Sequence, residues 1–364
     1  ACGEAVQASL DANDVRLTMG GEPTFVSIDD FVGAEWTTAA LGPVKRERSE
    51  ELVKKLRARF AHGAALHYGQ GKWYPGESLP RWALACYWRT DGSPIWNDAS
   101  LIADPSRPPK EPVDSKRAEQ FAEALAVRLG FSKTAPIPAF EDVAYYLWKE
   151  GRLPIAVSPG DSKLADAEER ARLAKVFERG LGAPVGWVIP IESARTSEGL
   201  VAFRTGPWTS KSGHLFLVPG DSPIGLRLPL DSIFSGVEVE EAAEPPFDPT
   251  VRQPVLPPGA KIQDRRTSGA KSAEDAKFAA RNGPPRFALC VEPRDGRLHV
   301  FLPPSPSLET YLALTTAIED VAKQSAQPAV VEGYSPPDDP RIRCLKVTPD
   351  PGVIEVNVPP TTSW

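Results

Sequence analysis

The stretch Val15–Asp30, VRLTMGGEPTFVSIDD, limits what this chain can fold into more than any other. An apolar, β-prone run of Val15, Leu17 and Met19 stops at Gly20-Gly21, a lone glutamate follows, and the run resumes with Phe25, Val26 and Ile28. Glycines inside a strand pattern let another group approach the backbone closely, and Pro23 removes a ladder donor. The pattern predicts a strand whose middle is given over to Glu22. Two readings stay open at this point. Gly-Gly-Glu-Pro is a hairpin or bulge with a solvated glutamate, or it is a site built around that carboxylate.

A second informative stretch is Pro349–Asn357, PDPGVIEVN. Strand alternation places Glu355 and Asn357 on one face and Val356 and Val358 on the other, so one face is polar and one packs. Between the two stretches, Leu66–Trp96 crowds Trp73, Tyr74, Trp82, Tyr87, Trp88 and Trp96 around GQGKWYPGE, a Gly-rich loop bearing Lys72 and Glu77. Backbone amides and Lys72 suit an anion there, although core aromatics beside a surface turn give the same pattern. IGLRLPL reads as a strand with Arg227 inside it. A buried arginine needs a carboxylate partner or an anion, which makes Arg227 a candidate phosphate contact.

The remaining chain alternates helical and strand signals. Helices are expected at Pro43–Phe60, from Asp114 to Gly130, at Phe140–Lys149, at Asp166–Arg179, and at Leu308–Lys323 with Ser307 as its cap. Strands are expected at Arg152–Val157, in VGWVIPI, LVAFR, GHLFLVPGDS and IGLRLPL from Pro184 onward, and at Arg286–Val291, Arg297–Leu302, Ala329–Glu332 and Val353–Val358. Glu238–Pro285 has few large apolar residues and much proline and charge, which predicts a flexible insertion. Ala1–Asn13 reads as a linker remnant.

Composition narrows the function classes. A net charge of −6 over 364 residues opposes broad nucleic-acid binding, which needs a basic face. No apolar run is long enough for a bilayer, so no membrane partner is expected. Four scattered cysteines with no paired motif argue against structural zinc and a disulfide scaffold, and for a reducing, cytoplasmic setting. None sits at a helix start with a histidine partner, which disfavours thiol catalysis.

GGEPTF resembles the first active-site strand of the glutamine synthetase superfamily, G-x-E-P-E-F, with Glu22 at the first glutamate and Thr24 where the second would stand. PDPGVIEVN resembles that superfamily's G-Q-x-E-I-N strand, with Gly352, Glu355 and Asn357 in register and Val353 in place of the glutamine. With LHYGQGKWYPGESLPRWAL, LVPGDSPIGLRLPLDS and VEPRDGRLHVFLPP in order between them, the chain from about Asp14 is similar to a bacterial family of amidoligase-type proteins of unestablished function, usually found behind a transglutaminase-like domain.

The resemblance implies an α+β fold, a largely antiparallel curved sheet covered by helices and glutamine synthetase-like. It implies an ATP-dependent carboxylate–amine ligase working through an acyl phosphate, with Mg2+ or Mn2+, on peptide or amino-acid-like acids and amines. Glu22 and Glu355 would be metal ligands and catalytic groups, Asn357 a supporting group, and Lys72 and Arg227 phosphate contacts, with Glu292 and Glu332 as further carboxylates. The domain would occupy 14–237 and 286–364, interrupted by the insertion 238–285. The superfamily's later histidine strand has no counterpart here, so the chain is expected to be an N-terminal part, inactive by itself. The rival expectation is a non-catalytic peptide- or glycan-binding module using the Tyr68–Trp96 aromatics.

Overall fold

The computed structural model describes residues 2–15, 19–75, 81–104, 109, 111–150, 174, 176–178, 180–195, 201–208, 213–234, 254–256, 278 and 283–361. In chain order the helices are α1 (Cys2–Ala12), α2 (Pro43–Phe60), α3 (Ser115–Arg128), α4 (Val143–Glu150), α5 (Leu230–Ile233) and α6 (Leu308–Ser325). The strands are β1 (Met19–Gly21), β2 (Thr24–Phe25), β3 (Ala65–Gln70), β4 (Trp82–Arg89), β5 (Ile137–Phe140), β6 (Gly186–Arg195), β7 (Val201–Arg204), β8 (Leu215–Phe216), β9 (Phe287–Arg294), β10 (Arg297–Leu302), β11 (Ala329–Gly333), β12 (Ile342–Asp350) and β13 (Val353–Thr361). They form two compact units, one of Ala1–Asn97 with Asp339–Trp364 and one of Asp98–Asp338. Both carry mostly antiparallel sheet with helices, as the α+β expectation has it.

In the first unit the strands run β1, β13, β12, β4, β3, with β2 also on β13. The interrupted strand is found: β1 pairs with the far half of β13 and β2 with its near half, and Glu22-Pro23 falls in the gap. Val356 donates its N–H to the Pro23 carbonyl at 2.9 Å across that gap. α2 covers one face, where Val53, Leu84, Cys86, Leu345 and Val347 are buried. Leu84 opposes Val347 and Cys86 opposes Leu345, so period two sends these side chains to a single face. α2 starts at Pro43, where the missing N–H costs nothing, and the Glu35 carboxylate accepts from the Lys45 amide at 2.7 Å.

Lys45 is fully buried, and its ammonium donates to the carbonyls of Ala39, Ala40 and Asp350 at 3.0, 3.1 and 2.9 Å. All three of its donors are therefore used, as a buried ammonium requires. β12 is a strand that the sequence reading did not mark. Within the expected linker remnant, Cys2–Ala12 is a helix, and none of its residues is buried.

The second unit runs β11, β10, β9, β6, β5, β8, with β7 on β6. β10 and β11 are parallel, as are β5 and β8. α3 begins at Asp114, whose carboxylate caps the Arg117 amide at 2.8 Å, and Gly130 follows with φ +88°. α6 begins at Ser307, which caps Thr310. The buried face of α3, including Phe121 and Leu125, packs toward β6 and β9. On the opposite face, Val188, Cys290 and Phe301 pack with Ile224, Leu215, Leu217 and Trp208.

Three expectations in this unit are corrected. Phe140–Lys149 is not one helix: β5 ends at Phe140, and α4 starts at Val143 after Asp142 accepts from the Tyr145 amide at 3.0 Å. GHLFLVPGDS keeps only β8 as strand. IGLRLPL is a 3-10 turn, Ile224–Leu226, followed by α5, because prolines at 223 and 229 bracket a segment too short for a ladder. Gly225 is required in that turn, since a Cβ there would overlap the Phe301 ring at 2.1 Å. Arg227 is 5% exposed; it donates to the Val218 carbonyl at 2.8 Å and forms a two-pronged ion pair with buried Glu141.

Arg152–Val157 lies outside the described residues, as does most of Asp166–Arg179, of which 174 and 176–178 are helical. The expected insertion 238–285 is also largely outside them, although Leu256 within it is buried. Near its end, Trp208 Nε1 donates to the Pro285 carbonyl at 2.7 Å.

Replacing Arg227 by Met would strand the Glu141 carboxylate in the interior, and loss of one partner of such a pair costs about 3–5 kcal/mol. Urea unfolding should show that loss, with the double variant Arg227→Met/Glu141→Leu recovering most of it.

Candidate functional site

The geometry around β13 begins with the broken edge. Because β2 restarts at Thr24 directly opposite Glu355, and Thr348 opposes Glu355 on the other side, all three point to the face away from α2. Asn357 lies two residues along the same face and donates from Nδ2 to Thr348 Oγ1 at 3.2 Å. Ile354 and Val356, of the opposite parity, are 3% and 2% exposed. Alternation thus splits β13 into a packed side and a polar side, as its sequence predicts.

Glu355 is half-buried and, among the described residues, accepts no hydrogen bond and forms no ion pair. Its carboxyl is raised above the ordinary glutamate value, first by burial and then by the charges of Asp350 and Glu22, with Lys72 and Arg81 pulling the other way. Five charged groups therefore act on one another at this end of the face. Glu22 is exposed in the strand gap. Thr24, where the superfamily pattern has a second glutamate, puts a neutral hydroxyl opposite Glu355.

The two cations come from the β3–β4 hairpin. Gly71 donates to the Arg81 carbonyl at 2.6 Å and Arg81 to the Lys72 carbonyl at 3.0 Å, so the ladder extends one step past each strand and sets Lys72 and Arg81 side by side. Gly71 has little room for a side chain, since a Cβ would meet the carbonyls of Arg81 and Trp82 at 3.3 Å. The Arg81 guanidinium binds the Asp350 carboxylate and lies 4.1 Å from the centre of the Tyr74 ring. Its charge is thus committed locally, whereas Lys72 is exposed and, among the described residues, unpaired. Lys45, through the Asp350 carbonyl, fixes the turn that carries this acid.

The aromatic stretch divides by role. Trp96 and Tyr87 are 1% and 4% exposed and belong to the interior, while Trp73 at 67% projects outward beside Lys72. Asp350 and Arg81 were missed by sequence reasoning. Asp350 lies in a Pro-Asp-Pro-Gly turn that reads as turn chemistry alone, and its partner is 269 residues away.

The remaining expected site residues lie in the second unit. Arg227 is already neutralised by Glu141, so its burial is explained without a phosphate. Glu292 and Glu332 face each other across Arg294, which donates to Glu292 Oε2 at 3.0 Å and to both oxygens of Glu332. A guanidinium, not a space for a cation, lies between them. Among the described residues, no group of three or more His, Cys, Asp or Glu side chains is arranged to hold a metal. For Glu22 and Glu355 this is compatible with Mg2+, which is commonly held by one or two carboxylates together with substrate phosphates and water.

No described helix is long and apolar enough to cross a membrane. No curated protein and no solved structure matches the chain. One family model does, the one described as "Putative amidoligase enzyme (DUF2126)", over residues 1–364. With the polar face of β13 and the family match covering the whole length, the chain belongs to that amidoligase family.

Proposed function

We propose that the polar face of the first unit is the nucleotide and metal end of an ATP-dependent carboxylate–amine ligase. The observation that carries this reading is that Glu355, on the polar face of β13, is half-buried without a hydrogen bond among the described residues and feels the charges of Glu22 and of Lys72, which is itself unpaired among them. The family name implies an acid and an amine as substrates in general terms; peptide or amino-acid-like ones are part of the proposal. When bound, ATP with Mg2+ or Mn2+ would supply the phosphoryl group that activates the acid as an acyl phosphate, with ADP released, and the amine would then attack the acyl carbon and release inorganic phosphate.

The chain's own residues have separable roles in that scheme. Glu22 and Glu355 offer hard carboxylate oxygens whose mutual repulsion is relieved by a divalent cation, so each favours what would bind between them. Lys72 offers a mobile ammonium to phosphate oxygens. Arg81 is held by Asp350 and Tyr74 and keeps the local field from becoming wholly negative. Asn357 fixes Thr348 and thereby the floor of the site. Thr24 leaves one acid fewer than the superfamily pattern, so a bound cation would rely more on oxygens from outside the chain.

Calorimetric titration of the whole chain with Mn2+ and ATP tests this reading. Binding should be detectable in the wild type, and Glu22→Gln or Glu355→Gln should each weaken it about tenfold or more, as loss of groups at metal sites does. Lys72→Ala should weaken ATP binding while sparing Mn2+ alone. Equal binding by all variants would reject the assignment.

The raised Glu355 carboxyl makes a second prediction. Below the ordinary glutamate value of about 4.3, folded and unfolded chains are both protonated and the group costs nothing. As pH climbs past that value the unfolded chain ionises first, so the wild type loses stability relative to Glu355→Gln. Urea midpoints of the two proteins should coincide in acid and separate in the variant's favour by neutral pH.

A further inference from the structure

The second unit holds a buried charged cluster that the proposed ligase site does not use. Glu292 on β9 is directly opposite His299 on β10, and Glu332 on β11 joins them on the same face. Arg294 ties the three together, bonding both carboxylates and approaching His299 Nδ1 at 2.7 Å. Glu292, His299 and Glu332 are 6%, 8% and 5% exposed.

Proton bookkeeping fixes the imidazole. A guanidinium has only donors, so the Arg294 contact makes Nδ1 an acceptor and leaves the proton on Nε2. The longer 3.2 Å approach of Nδ1 to Glu332 Oε2 is then a contact and not a hydrogen bond. Glu332 is fully engaged by Arg294. Burial alone would raise its carboxyl, but the Arg294 charge and hydrogen bonds hold it below the ordinary glutamate value.

Glu292 is different. Its Oε2 accepts from Arg294 and from the Ile224 amide at 3.2 Å, while Oε1 accepts from nothing among the described residues. His299 Nε2 likewise has no partner there. Two carboxylates against one guanidinium and a neutral imidazole leave one negative charge in excess. A buried carboxylate with one oxygen open and uncompensated charge favours a cation.

The surroundings hold this arrangement in place. Gly186 admits the Ile224 turn, since a Cβ there would meet Val291 O at 2.5 Å and Ile224 Cδ1 at 2.8 Å. That turn is anchored by the Arg227–Glu141 pair, which gives Arg227 its purpose: it keeps the Ile224 N–H on Glu292 Oε2. Burial, the largest influence, raises the Glu292 carboxyl and the Arg294 charge opposes it, so a further positive charge at Oε1 would favour its ionised form.

We infer that Glu292 Oε1 and His299 Nε2–H form a subsite for a primary ammonium group with an adjacent carbonyl, the pattern of an amino acid or of a peptide's N-terminal residue. The ammonium donates to Oε1 and neutralises the surplus charge, and the carbonyl accepts from Nε2–H. This goes beyond the ligase reading, which concerns the first unit, and stands independently of it.

The test uses the whole chain, glycinamide as probe and N-acetylglycinamide as its uncharged counterpart. In 15N-histidine spectra, where the chain offers four histidines, His299 should show the Nε2–H tautomer and shift with glycinamide but not with the acetylated compound. Glu292→Gln should weaken glycinamide binding about tenfold or more, as loss of a charged hydrogen bond does. An Nδ1–H tautomer, an unshifted His299, or unchanged binding in Glu292→Gln overturns the proposal. If the variant misfolds, the wild-type spectra decide. Mn2+ and ATP titrations separate the two claims: glycinamide binding at Glu292 without Mn2+·ATP binding sinks the ligase reading alone, and the reverse result sinks the amine subsite alone.

Discussion

The first unit depends on the two-sidedness of β13. Ile354 and Val356 commit one side of the strand to the core under α2, and that commitment forces Glu355 and Asn357 to the other. A one-residue slip would bury the carboxylate and expose the valine, so the hydrophobic set fixes where the acid points. Lys45 reinforces the same register from below. Its three carbonyl bonds join the loop before α2 to Asp350, the last residue of β12. The turn between β12 and β13 is therefore held by a buried cation, although a cation near the start of a helix is electrostatically unfavourable. Burial lowers its proton affinity, with Glu35 and Asp350 opposing that effect.

The two charged assemblies obey different physics. In the first unit the acids are open or half-buried, their partners are partial, and Glu355 has no hydrogen bond among the described residues. Such a set gains from an incoming cation. In the second unit Glu332 and Arg294 satisfy each other in the interior, and the pair specifies geometry more than it adds stability. Among the described residues of this cluster, Glu292 Oε1 and His299 Nε2 depart from full satisfaction, and departures of this kind in an otherwise consistent interior call for an explanation such as a ligand.

Much of this was legible in the residues. Glycine and proline around Glu22 announce a broken strand because their backbone limits are local, and the alternation of VIEVN announces the two faces of β13 for the same reason. Caps at Asp114 and Ser307 are equally local and appear where read. What was not legible depends on distance or competition. Arg81 and Asp350 meet across the chain, which no local pattern encodes. Arg227 looked like a strand residue awaiting an anion; bracketing prolines made a 3-10 turn and Glu141 supplied the countercharge. The β12 strand escaped notice because only Leu345 and Val347 of its nine residues are strongly apolar and buried.

The central claim is that Glu22 and Glu355, far apart in sequence, share one electrostatic site. Titration of the Glu355 side-chain carboxyl by 13C NMR, in the wild type and in Glu22→Gln, measures that coupling without any ligand. Removing the Glu22 charge takes away a repulsion, so the Glu355 midpoint should move down toward the ordinary glutamate value. An identical midpoint in the two proteins would mean that the carboxylates do not sense each other, and the proposed site would not exist.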